Sequence, residues 1–299
     1  MVLPQSARLH RMLGYIGWPL ALLFIWDIVV TLAYVYLPHP GLDLPSLPMS
    51  LLGSALALFL GFRNNNAYNR WWEARTLWGA MVNASRSYGR EVFHLIDTLP
   101  ESTDLRHDLV RRQIAYVNAL RCHLRRQPNR EEIRPFLSED ELDELSTATN
   151  APNAILNETA ALLAMARRKG WIDSIRSVQI ENVLVDMSNA QGGMERIKNT
   201  PLPREYAYYP TLFVHIFCIL LPIGLVDSLT IYTPLASTIV GFMLLAMDRI
   251  GSDLQDPFEN RVHDVPLTSL CRTIQIDLEQ LVGKQAVTTP IRPVENVLW

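Results

Sequence analysis

The sequence predicts an all-α integral membrane protein, with four transmembrane helices in two hairpins and a cytoplasmic helical domain. Three observations predict it. Apolar segments occur in two pairs, one near each end of the 299-residue chain. The clusters of Lys and Arg beside them all fall on one side. Between the pairs lie roughly 145 residues, about a domain's worth, with helical periodicity and no convincing strand alternation.

The first apolar segment, Met12–Leu37, carries one charge, Asp27, and exceeds the ~20 residues a spanning helix needs. It is too long for the apolar core of a signal peptide and lacks a small-residue cleavage site. Trp18, Trp26, Tyr34 and Tyr36 suit interfacial or packing positions, and Pro19 should bend the helix near its start. The second segment, Leu44–Phe62, has no charge, and only Pro38–Asp43 separates it from the first. The two therefore form an antiparallel hairpin. The pair recurs as Pro210–Val226 and Leu235–Met247, joined by the polar, proline-containing turn Asp227–Pro234. These later segments are close to the lower length limit, and buried helices of a soluble core are the alternative.

The intramembrane polar candidates are Asp27 and His215. A charge at membrane depth is expensive, so Asp27 should face protein or water and find an Arg or hydroxyl donor on a neighbouring helix. Either it belongs to an ion pathway or, the preferred reading, it is a structural hydrogen-bonding group.

Topology follows from the basic residues. Arg8 and Arg11 precede the first span, and Arg63, Arg70 and Arg75 follow the second. Arg196, Lys198 and Arg204 precede the third, Arg249 and Arg261 follow the fourth, and the hairpin tips contain no Lys or Arg. The positive-inside rule then places both termini and the central domain in the cytoplasm. The chain divides into a first hairpin (1–63), a cytoplasmic domain (64–209), a second hairpin (210–250), and an acidic segment with a C-terminal tail (251–299).

In the domain, Trp71–His94 reads as a long helix. Leu105–Arg126 follows with Leu105, Leu109, Ile114, Val117, Leu120 and Leu124 near one stripe, and Arg111, Arg112, Arg121, Arg125 and Arg126 largely off it. Pro128 and Pro135 break the chain. Ser138 and Glu141 have capping-box spacing. Asn153–Lys169 and Ile172–Met194 are two further helices, punctuated by Gly170 and Gly192-Gly193.

Composition and motifs exclude several classes. A net charge of −3 argues against a nucleic-acid partner. Cys122, Cys218 and Cys271 are far apart without metal or disulfide spacing, which reads as buried thiols. There is no phosphate-binding glycine loop, no HExxH and no GxSxG, so neither catalysis nor a cofactor is expected.

The second span carries the functional signal. Gly53, Ala57 and Gly61 form a small-residue face that lets another helix approach closely. Leu47, Leu51 and Ala55 repeat at the same interval on a different face. Such a stripe suits a ring of identical helices around a hydrophobic constriction; alternatively it faces lipid or the first helix.

The run Pro48–Arg75, PMSLLGSALALFLGFRNNNAYNRWWEAR, resembles the signature of the bestrophin family in its bacterial branch. So do REYAYYPTLFVHIF at Arg204–Phe217 and DLQDPFEN at Asp253–Asn260. The resemblance implies a homopentamer in a bacterial inner membrane, passing small monovalent ions through a central pore. It places the neck at Leu47, Leu51 and Ala55. Family necks carry bulkier side chains than Ala55 there, so Leu58 or Phe62 could constrict instead. A second constriction is implied near Ile180 or Val183. Eukaryotic relatives are calcium-gated anion channels, whereas bacterial ones are associated with sodium, which favours cations (sodium) over chloride. Asp253, Asp256 and Glu259 are the candidate calcium ligands; their sparse spacing favours a salt-bridged linker, with no cofactor. A secondary transporter and a membrane-anchored helical scaffold or signalling protein are the competing classes.

Overall fold

The computed structural model describes residues 1, 9–37, 48–283 and 288–299, apart from the side chains of 9–14 and 204. Its elements are helical: α1 (Leu9–Tyr36), α2 (Met49–Leu95), α3 (Pro100–Arg125), α4 (Arg130–Ile133), α5 (Glu139–Ser146), α6 (Ala151–Arg168), α7 (Ser174–Asn199), α8 (Arg204–Leu229), α9 (Thr233–Leu254) and α10 (Leu267–Leu281). Among the described residues no strand forms, and extended backbone pairs only at one bridge, Val294 with Val297. The chain divides into two units. A hairpin unit contains the described residues from Leu9 to Trp71 together with Pro201–Asp256; a domain unit contains Trp72–Thr200 and Pro257–Trp299.

The longest element departs from the sequence reading. Leu44–Phe62 and Trp71–His94 were expected as separate helices, but α2 runs unbroken for 47 residues. The linking RNNNAYNR contains no Gly or Pro. Asparagines oppose helix mainly when their side chains compete for local backbone groups, and here two of them bond elsewhere. Asn64 Nδ2 donates to the Met247 carbonyl at 2.9 Å and Asn66 Nδ2 to the Tyr206 hydroxyl at 2.8 Å. Arg70 Nε adds a 2.7 Å bond to the Gln255 carbonyl. The connector is thus held as helix from outside.

In the hairpin unit, α1, α8 and α9 pack together and enclose Leu23, Leu56, Leu60, Val214, Cys218 and Leu245. Gly241 permits the close approach of α1 and α9: a Cβ there would overlap Leu23. The outer faces are strongly apolar, with Trp18, Ile25, Val29, Leu32, Ile219 and Ile239 all exposed. Tyr15–Tyr36 and Glu205–Leu254 are long and apolar enough to cross a membrane. A short 3₁₀ turn, Thr230–Tyr232, separates α8 from α9.

The domain unit is built around α3, whose predicted stripe of Leu105, Leu109, Ile114, Val117, Leu120 and Leu124 is buried. Two of the arginines expected off that stripe are buried as well. Arg112 pairs with Glu141, and Arg121 with Glu132 at 2.6 Å. These pairings suit long side chains that lie along the helix and place their charges against short neighbouring elements. The Ser138 capping box forms, with Glu141 Oε2 accepting from the Ser138 backbone N–H at 2.8 Å.

Gly192-Gly193 does not end its helix; α7 continues to Asn199. Glycine is used there for proximity, since a Cβ on Gly193 would sit 2.9 Å from Leu77. The C-terminal region, read as a tail, contains α10. Leu267, Cys271, Ile274 and Leu278 form its buried face, a four-three-four spacing visible in the sequence.

Candidate pore helix and buried polar groups

Within the hairpin unit α2 buries a narrow strip, Leu56, Leu60, Arg63 and Ala67. The neck candidates lie away from it. Leu51 is 68% exposed, Leu58 61% and Phe62 60%, and Ala55 is exposed too. Their spacing of four, three and four residues sets them on one stripe. Leu47 lies outside the described residues. Of the small-residue positions, Gly53 packs on Phe217, where a Cβ would lie 3.3 Å from the ring, whereas Ala57 is exposed and Gly61 has open space beside it. Most of this helix surface therefore has no partner within its own unit.

The proposed lower constriction needs correction. Ile180 is fully buried and Val183 is 8% exposed. Assembly can only remove exposure, so a residue buried in the protomer cannot line a lumen in this conformation. Both belong to the core of the domain unit. The exposed apolar residues on α7 are Ile175, Val178 and Val185.

Asp27 is fully buried, and its two carboxylate oxygens accept from Ser237 Oγ at 2.9 Å and Thr238 Oγ1 at 3.0 Å. Thr31 Oγ1 donates to the Asp27 carbonyl at 2.8 Å. The carboxylate's donors are the Ser237 and Thr238 hydroxyls of α9, and among the described residues no arginine pairs with it. His215 is exposed on α8, with Nδ1 2.7 Å from the Thr211 carbonyl.

A second buried polar centre was missed. Arg63 Nη1 pairs with Asp248 Oδ1, Arg63 Nη2 donates to Ser252 Oγ at 2.8 Å, and Thr211 Oγ1 donates to Asp248 at 2.8 Å. Sequence reasoning used Arg63 only to set topology, and Asp248 simply follows the fourth apolar segment. Opposite charges closing two apolar runs were the available signal.

The acidic segment does not act as one group. Asp253 accepts from the Tyr15 hydroxyl and pairs with Arg249 at 3.7 Å, while the Arg249 guanidinium lies over the Tyr15 ring. Glu259 pairs with Lys198 at 2.6 Å, and that hydrogen bond and charge hold its carboxyl below its ordinary range. Asp253 and Asp256 lie in the hairpin unit and Glu259 in the domain unit. Among the described residues no three His, Cys, Asp or Glu side chains are grouped to hold a metal ion.

Long helices with apolar outer faces, and a buried carboxylate satisfied only by hydroxyls, define a helical integral membrane protein. The chain belongs to the bestrophin family: the model of the bacterial and fungal bestrophin proteins matches residues 7–280. It is 36% identical over 300 residues to the voltage-dependent anion channel-forming protein YneE of Escherichia coli K12, covering 98% of this chain and 97% of that one. It is 32% identical over 268 residues to the voltage-dependent anion channel-forming protein RSc3414 of Ralstonia nicotianae, covering 90% and 87%. The crystal structure of a bacterial bestrophin homologue from Klebsiella pneumoniae matches with a TM-score of 0.85 and 31% identity, over 90% of this chain and 99% of that one.

Proposed function

We propose that the protein is a channel passively conducting small monovalent ions, assembled as a homopentamer around the first part of α2. The observation that carries this reading is the exposed stripe Leu51, Ala55, Leu58 and Phe62 beside the open positions Ala57 and Gly61. One arc of the helix offers rings of apolar side chains to a lumen, and the adjoining arc offers close approach to a neighbouring copy. Four spans cross a bacterial inner membrane in this arrangement: α1, the apolar part of α2, α8 and α9. Both termini are cytoplasmic by the positive-inside rule.

The sodium preference implied by the earlier resemblance is not carried forward. The relatives above are named for anions, and a neck of Leu, Ala and Phe has no charge with which to select sign. The names favour anions. Calcium is not part of the proposal.

Reconstitution into planar bilayers under a salt gradient tests the reading. Discrete currents are expected, with a reversal potential near that of the anion. Saturable, coupled flux without unitary currents would indicate a transporter, and silence a scaffold. A monomeric mass in mild detergent would sink the pore, because one protomer's helices cannot enclose it.

A further inference from the structure

The exposed stripe on α2 does not stop at Phe62. From Leu51 to Asn69 is 18 residues, about five full turns, so the two side chains leave the helix axis in the same direction. Asn65 stands three residues after Phe62 and four before Asn69, which continues the spacing of the stripe. The register carries through because α2 is unbroken from Met49 to Leu95. Asn65 and Asn69 are both exposed, while Ala67 on the opposite side of the helix is fully buried.

The asparagines of this stretch are of two kinds. Asn64 and Asn66 hold the connector through the Met247 carbonyl and the Tyr206 hydroxyl. The amides of Asn65 and Asn69 have no hydrogen bond among the described residues. Asparagine is a poorer helix former than alanine or leucine, and in the protomer neither amide makes a bond that would offset this. The charge along this stretch is one-sided. From Met49 to Trp71, α2 contains Arg63 and Arg70 and no Asp or Glu. Arg63 is paired with Asp248. The first carboxylate further along, Glu73, belongs to the domain unit and is paired there with Arg196.

We infer that Asn65 and Asn69 form two rings of amides at the cytoplasmic mouth of the neck and receive the permeating anion there through their N–H groups. The inference rests on the pore reading above. An ion crossing rings of Leu, Ala and Phe loses part of its hydration and gains nothing from the wall. The Asn65 ring follows about 4.5 Å beyond Phe62, and the Asn69 ring about 6 Å beyond that, at the helical rise. Neutral amides replace the lost water without holding the ion so firmly that it cannot leave. An amide offers a donor end and an acceptor end. Two arginines and no carboxylate in this stretch favour the donor end facing the lumen.

The test is single-channel recording of the full-length protein in planar bilayers under a salt gradient. Asn65→Cys and Asn69→Cys are recorded before and after charged thiol reagents are added on the cytoplasmic side, so each open channel is its own control for folding. An anionic sulfonatoethyl reagent should lower the unitary anion current severalfold, and a cationic trimethylammonium reagent should raise it. The natural thiols are buried, and burial pushes Cys271 up to about 12, so the unaltered protein should not respond. Asn69→Asp, nearly the same shape, should lower the permeability of anion over cation by about tenfold or more. Asn69→Leu lengthens the apolar neck and should cut the unitary current. No response to either reagent at both positions, equal responses to the two reagents, or an unchanged permeability ratio in Asn69→Asp would overturn the inference. Those results beside ordinary currents that answer to Leu51→Ala would leave the pore reading standing. Absence of currents from the unaltered protein would overturn both.

Discussion

Replacing Arg63 by Met removes one half of a buried ion pair and leaves the other behind. The Arg63 side chain is 2% exposed and that of Asp248 11%. In Arg63→Met the Asp248 carboxylate keeps the Thr211 hydroxyl at 2.8 Å but loses the cation it pairs with among the described residues. Uncompensated buried charges of this kind cost about 3–5 kcal/mol. The double variant Arg63→Met/Asp248→Leu strands no charge. Its two hydroxyls also retain acceptors, since Ser252 Oγ donates to the Asp248 carbonyl at 3.0 Å and Thr211 Oγ1 reaches the Ala207 carbonyl at 3.5 Å. The double change should therefore cost only about 1–2 kcal/mol, which makes it more stable than the single. Denaturant unfolding in detergent, followed by tryptophan fluorescence and analysed as a double-mutant cycle, measures the difference. If the double variant proves as unstable as Arg63→Met, or if Arg63→Met costs under about 1 kcal/mol, the pair is not the buried clasp described here.

Four further outcomes are expected. Leu51→Ala should raise single-channel current or open probability and Leu51→Phe should lower it; a rise with Phe62→Ala alone would place the constriction about three helical turns further along. Asp27→Leu strands the Ser237 and Thr238 hydroxyls and should cost roughly 1–3 kcal/mol in thermal unfolding. Asp27→Asn keeps an acceptor and should leave the reversal potential unchanged, a shift placing Asp27 on the ion path. Gly193→Val should destabilise by about 1–3 kcal/mol through its collision with Leu77, and a smaller residue at position 77 should restore much of that. Two carboxyls in one segment should respond oppositely to pH. Glu259, held below its ordinary value by Lys198, contributes stability above that value and loses it as pH falls through the depressed one. Asp264, raised chiefly by burial, contributes stability below its ordinary value and loses it as pH rises through the raised one. Unfolding midpoints between about pH 3 and 7 should show Glu259→Gln flattening the acid-side loss and Asp264→Asn the loss above it.

The apolar spans, the Ser138 capping box and the α3 stripe were legible because each depends on neighbours within one helix. The same local logic placed Leu51 and Ala55 on a common stripe, and the structure leaves both exposed together with Leu58 and Phe62, which the resemblance had offered as alternative constrictions. Neither local periodicity nor a resemblance says what covers a face. The resemblance set a second constriction near Ile180 or Val183, yet both are buried in the domain unit. Gly192-Gly193 looked like a helix end, but the close passage of Leu77 explains the glycine at 193 without one.

The sequence by itself determined the helical class, the long apolar helices near each end and the shared face of Leu51 and Ala55, because hydrophobicity and helical pitch act over a few residues. Tertiary structure alone decided that α2 is continuous, that Asp27 rests on Ser237 and Thr238, and that Arg63 closes on Asp248. Those partners are more than a hundred and eighty positions apart in the chain. A buried polar group must be satisfied by whichever atoms packing brings to it, and that choice is made in space.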